Sequence, residues 1–168
     1  MILRVIGALI LTLGGCGEPL PPEFVSAPYQ FKVRFGSEPR QVDQPTKNIP
    51  SRLFIVESPS GAYTVRVFAL PISSAQARDA SPQLLAEAKA DLLRAIGGNE
   101  TSSRPITLAG KYPGLEVTAT ANRSQPGLLR ARIILAGTRL YKVSVFGTHD
   151  FATTTAADTF LESFMVLE

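Results

Sequence analysis

This chain of 168 residues holds a single cysteine, Cys16, and a single histidine, His149. His149 stands beside Asp150, and a carboxylate that holds an imidazole in one orientation can make it a general base, with Ser144 or Thr148 as the nucleophile. Neighbouring residues generally point apart, and the sequence has no Gly-x-Ser-x-Gly elbow. His149 as an ordinary surface-loop residue is therefore the competing reading. One histidine and one cysteine cannot fill a zinc site, and no acidic loop has calcium-binding spacing. Gly97-Gly98-Asn99 terminates a helix and is no phosphate-cradling loop. No metal and no cofactor is expected. At Cys16 the spacing is more telling, because Leu13-Gly14-Gly15 precedes it. Small residues open the backbone to a peptidase, and a thiol is the best nucleophile available for a thioether bond.

The remaining candidate chemistry is charge on a sheet. Each of four segments alternates polar and apolar residues. Arg66 lies between Val65 and Val67, and Glu116, Thr118 and Thr120 alternate with Val117 and Ala119. Arg130 and Arg132 precede Ile133 and Leu135, and Lys142 and Ser144 alternate with Val143 and Val145. Taken literally, the alternation sets Arg66, Glu116, Arg130, Arg132 and Lys142 on one polar face. Such a face could bind an anionic partner. It could equally be a solvated, ion-paired exterior with Glu116 as cross-strand partner of the arginines.

The amino terminus reads as an export signal: Arg4 supplies a positive start, residues 5–13 are apolar, and small residues follow. The run is shorter than the about 20 residues a membrane-spanning helix needs. Leu13-Gly14-Gly15-Cys16 resembles the lipobox of bacterial lipoproteins. That resemblance implies cleavage before Cys16, diacylglycerol on its sulfur, and a further acyl chain of the palmitate kind on the new amino terminus. The plain alternative is an ordinary cysteine in a cleaved signal. Two or more acyl chains anchor stably where one binds marginally. Residues 16–28, rich in proline and without a period, are expected to be a tether, giving a signal at 1–15 and a domain at 29–168.

Composition bounds the domain: 45% hydrophobic and 18% charged residues suit a packed core and exclude a disordered polymer. With a formal charge of +3 and scattered Lys and Arg, the chain lacks the basic stripe of a nucleic-acid binder. Strand signals dominate. Phe31, Val33 and Phe35 alternate with Lys32 and Arg34; residues 36–51 read as an irregular connection; 52–57 and 63–70 flank Ser58-Pro59-Ser60-Gly61 as a hairpin. Ser81 as cap and Pro82 at the first helical position open a helix with Leu85, Ala88, Leu92 and Ile96 on one stripe, closed by Gly97-Gly98. Residues 104–109, 115–122, 128–136 and 140–147 are further strands, the last two joined by Gly137-Thr138-Arg139. A second helix is predicted from Thr154 or Thr155 to Ser163, and 165–167 as a last edge segment. These elements predict an α+β sandwich: an antiparallel sheet of about six to seven strands packed with two main amphipathic helices.

The stretches Phe31-Lys32-Val33-Arg34-Phe35, Gly110-Lys111-Tyr112-Pro113-Gly114-Leu115-Glu116, Arg139-Leu140-Tyr141-Lys142-Val143 and 156–164 resemble the PsbP-like fold family. The resemblance covers nearly the whole exported domain and implies an α/β/α sandwich. It carries no activity with it, because these residues make the fold and include no catalytic signature. The functional expectation is a noncatalytic domain, lipid-anchored in a bacterial cell envelope, that binds or helps assemble an envelope protein. The alternatives are a small-ligand carrier with a pocket between sheet and helices, and a hydrolase centred on His149.

Overall fold

A computed structural model describes residues 20–44, 49–122 and 126–168. The described residues open with two short strands, β1 (Phe24–Ser26) and β2 (Phe31–Val33), followed by β3 (Arg40–Asp43). A hairpin, β4 (Ser51–Ser58) and β5 (Gly61–Ala69), leads to helices α1 (Ser74–Asp79) and α2 (Ser81–Ile96). Four long strands follow: β6 (Gly98–Leu108), β7 (Tyr112–Asn122), β8 (Pro126–Ala136) and β9 (Arg139–Gly147). The chain closes with α3 (His149–Ala152), α4 (Thr155–Ser163) and β10 (Met165–Val166).

Seven strands form one antiparallel sheet in the order β3-β4-β5-β9-β8-β7-β6. A second sheet, β1-β2-β10, packs with α3 and α4 over one face of the large one, while α1 and α2 lie on the other. The α+β sandwich expected from the sequence is therefore the observed architecture. Between the sheets Phe31, Phe54, Tyr141, Phe160 and Phe164 are fully buried: Phe31 meets Phe54 and Tyr141 edge-on and stacks on Phe164, Tyr141 meets Phe164 tilted, and Phe160 meets Phe35 tilted, at centroid distances of 4.9 to 6.3 Å. Under α2 a smaller core joins Leu85 and Ala88 to Val117, Ile133, Leu135 and Leu140.

Local chemistry explains most boundaries. Gly97 ends α2 in the left-handed conformation, at φ 58°, which glycine adopts without a Cβ penalty. Thr154 caps α4 by accepting the Ala157 amide at 3.2 Å. The hairpin at 58–61 forms as expected, with Pro59-Ser60 between the paired Ser58 and Gly61.

Other expectations need correction. Residues 36–51 contain β3, because Arg40 to Asp43 pair with Ile55 to Arg52 along the sheet edge. Ser81 does not cap α2: it is the first helical residue, Ala80 precedes it without a side-chain bond, and the capping chemistry belongs to Ser73 and Gln76, which close a capping box on α1. The strand expected at 104–109 starts at Gly98, directly after the helix. The described part of the expected tether, from Leu20 to Pro28, includes β1, which pairs with β2, and Phe24, which packs against Phe31, Phe35 and Phe54. Packing of that partly buried ring against the core brings residues before 29 into the domain. The signal and Cys16 lie outside the described residues. No helix among the described residues is long and apolar enough to cross a membrane.

Candidate ligand-binding cleft

The five candidate residues do not share a face. Arg66 pairs with Lys142, and Lys142 with Ile133, so these three point the same way, toward α2. Glu116 pairs with Arg132, and Arg132 with Val143, so these point toward α4. Each strand alternates as its sequence predicts; the error lies in one turn. A three-residue connection at 137–139 would align Arg132 and Lys142 on one side. The actual connection is Gly137-Thr138, with Ala136 opposite Arg139, and one residue of register moves every side chain to the opposite face.

On the α4 side the arginines are engaged within the protein. Arg130 donates to the carbonyl of Ala152, the last residue of α3, at 2.9 Å, and reaches Asp158 of α4 at 2.7 Å. Arg132 donates to the Leu161 carbonyl at 2.9 Å and to Glu116 at 3.2 Å. Both supply donors to carbonyls near helix ends that lack an intrahelical partner. Arg104 completes the group with two bonds to Glu116, at 2.6 and 2.9 Å. Burial pushes the Glu116 carboxyl up, but hydrogen bonds and positive charge from Arg104 and Arg132 prevail and hold it below the ordinary carboxylate range. This cluster docks α3 and α4 onto the sheet.

The α2 side is different. Helix α2 lies over β6, β7 and β8; the inward residues of β7 and β8 there are apolar, while β6 meets the helix through Glu100 and Ser103, which Lys89 reaches at 2.8 and 3.4 Å. Beyond Phe68 and Leu140, which reach the core under the helix, it leaves β4, β5 and β9 uncovered, and between them and the helix runs a cleft of about 420 Å³. Arg66, Lys142, Thr64 and Ser144 form its floor, Leu53 and Phe68 extend it, and Asp91, Leu92, Arg94 and Ala95 of α2 form its wall. The Arg66 and Lys142 charges lie 5.0 and 5.2 Å from the centroid of the Phe68 ring. Thr64 and Ser144 share a hydrogen bond of 2.7 Å. Arg66 donates to the Gln44 carbonyl at 2.9 Å and to the Ser51 hydroxyl at 3.3 Å, and burial lowers its pKa. Lys142 is 9% exposed. Sequence reading named Arg66 and Lys142 but not the helix residues that complete the cleft, whose placement depends on how α2 crosses the sheet.

His149 opens α3 in solvent, with Nδ1 3.8 Å from Asp150. The nucleophiles considered beside it are engaged elsewhere. Ser144 bonds Thr64 on the α2 face, and the Thr148 hydroxyl accepts the Phe151 amide at 3.3 Å as the cap of α3. Among the described residues no group of three or more His, Cys, Asp or Glu is placed to hold a metal ion.

No family model and no curated protein matches the chain. Among solved structures, cyanobacterial PsbP (CyanoP) from Synechocystis superposes with a TM-score of 0.56 at 12% identity, over 92% of this chain and 97% of that one. The fold is PsbP-like. A protein from Bacteroides thetaiotaomicron gives the same TM-score, 0.56, at 13% identity over 89% of this chain; the chain spans only 50% of that protein's length. LpqN of Mycobacterium tuberculosis, described as involved in cell envelope biogenesis, aligns over 92% of this chain and 88% of its own at 13% identity and a TM-score of 0.47. At such identities the PsbP-like fold is what is shared, while function has to be argued from this chain's own site.

Proposed function

We propose that this protein is a noncatalytic binding domain of a bacterial cell envelope, exported and held at a membrane by lipid on Cys16, that engages an envelope partner protein through the cleft beside α2. One observation carries the binding reading: α2 covers only half of its sheet face, and the other half offers a concave surface with Arg66 and Lys142 on its floor. Glu116, Arg130 and Arg132, which sequence reading grouped with them, serve in this proposal to hold the helices on the opposite face. Support for the anchor comes from Leu13-Gly14-Gly15-Cys16, where the chain's one cysteine stands at the position a lipid-attachment signal requires.

Crosslinking in intact cells, followed by copurification of the full lipoprotein, tests the proposal. The native chain is expected to capture a specific envelope protein that an Arg66→Glu variant loses and an Arg104→Gln variant keeps. Identical capture by all three removes the cleft from the proposal. Replacing Cys16 with Ala is expected to release the protein from salt-washed membranes; retention there overturns the anchor. A second reading, a carrier of a small ligand, is favoured by the cleft volume of about 420 Å³, within the range of small-molecule sites. A bound molecule found by mass spectrometry in the purified native protein would select it.

A further inference from the structure

We infer that the cleft between α2 and β4-β5-β9 is a site for an amphipathic anion, a carboxylate or phosphate group carried on a compact apolar body. The inference rests on reading this cleft as the binding site and names the chemistry of what enters it. Three cations, Arg66, Lys142 and Arg94, line the cleft against one carboxylate, Asp91. Asp91 already accepts from Arg94 at 2.7 Å, so the local balance stays positive toward the floor. Arg66 and Lys142 come from paired positions on adjacent strands and flank one aromatic ring, so both charges converge on a single small region. Both also take part in contacts within the protein, and the ligand joins that network without requiring a vacant donor.

Each half of the ligand answers a different part of the wall. An uncharged molecule would gain nothing from the net positive charge of the lining, whose field is strengthened in a low-dielectric cleft. A bare inorganic anion would satisfy the floor but leave the part-exposed Leu53 and Leu92 against water. A guanidinium favours planar, two-point recognition of carboxylate or phosphate, and whichever of the paired Thr64 and Ser144 hydroxyls is not donating to the other can donate to the same group. The volume of about 420 Å³ accommodates a headgroup with a ring or short chain, or one such group projecting from a partner's surface.

Titration calorimetry on the full-length protein in nonionic detergent tests this, with 1-naphthyl phosphate and 1-naphthoate as probes and 1-naphthylmethanol and inorganic phosphate as controls. Both naphthyl anions are expected to bind at least about tenfold more tightly than either control, and Arg66→Gln to weaken them by about tenfold or more. Arg94→Gln, on the exposed helix surface, is expected to weaken them by about threefold. Arg104→Gln, on the other face, should leave both affinities unchanged. Equal affinity for 1-naphthylmethanol, no binding at millimolar concentration, or an Arg66→Gln variant that melts with the native protein and binds as well overturns the inference. Comparing the two anions distinguishes a phosphate from a carboxylate ligand. Loss of this site alongside retained capture of an envelope protein in cells overturns the amphipathic anion and leaves the binding domain standing; loss of both removes the cleft altogether.

Discussion

Tyr141 shows how one side chain ties two sheets together. Its ring is fully buried in the core while its hydroxyl donates to the Tyr29 carbonyl at 3.0 Å, in the turn between β1 and β2. Tyr141→Phe keeps the ring and leaves that carbonyl without its donor, so a loss of about 1 kcal/mol is expected in urea unfolding. Burial is also the main reason its phenol is pushed up to about 12. Because the folded state disfavours the phenolate, this stabilisation is complete below the unfolded value near 10 and is lost as pH rises toward about 12. Absorbance at 295 nm should show one tyrosine ionising only as the protein unfolds in alkali. Glu116 behaves in the opposite sense, since Arg104 and Arg132 hold its carboxyl low against the effect of burial. Its contribution is present above the ordinary carboxylate range and is lost as pH falls through the depressed folded value. The stability difference between native protein and Glu116→Gln should therefore be greatest near neutrality and vanish in acid; a difference independent of pH would contradict the charge-based account.

Arg130 and Arg132 belong to the scale of elements, because their bonds reach α3 and α4 from the middle of β8. Alternation along 128–136 was legible from the residues, and so was the phase of β7 against β8: Glu116 does face Arg132. What the helices would ask of those arginines was not, since a carbonyl acceptor leaves no mark in sequence. Arg132→Ala is expected to cost about 1.5–3 kcal/mol, the range for a hydrogen bond to a charged donor. Amide exchange should rise in α4 and remain unchanged in α2. Charge reversal at both positions would put carboxylates against helix carbonyls and Glu116, and is expected to unfold this side of the molecule; it therefore cannot serve as a probe of binding. Failure of exchange to separate the two helices would mean that the arginines do not dock α4.

At the scale of the whole molecule, the first and last strands of the described residues meet in one sheet. The central strand of the small sheet, β2, is flanked by β1 from the start of the domain and by β10 from its end. A chain beginning at Tyr29 should be less stable than one beginning at Leu20 by at least about 2 kcal/mol, because it loses Phe24 and the β1 pairing. Equal denaturant midpoints would show that residues 20–28 behave as a tether after all. Nothing local distinguishes this segment: its prolines and lack of period fit an extended spacer, and only the distant Phe31, Phe35 and Phe54 hold Phe24 against the core. Periodicity and turn residues were enough to predict the strand–helix inventory and the sandwich, because burying one face of each element is a local demand on residue type. The spacing of Leu13 to Cys16 likewise carried its own chemical expectation. Grouping the charges required more. The face each one occupies depends on the length of the turn at Gly137-Thr138, and the cleft exists because α2 crosses only part of its sheet. Register and helix placement arise from contacts distant in sequence, so they become visible only when the chain is folded.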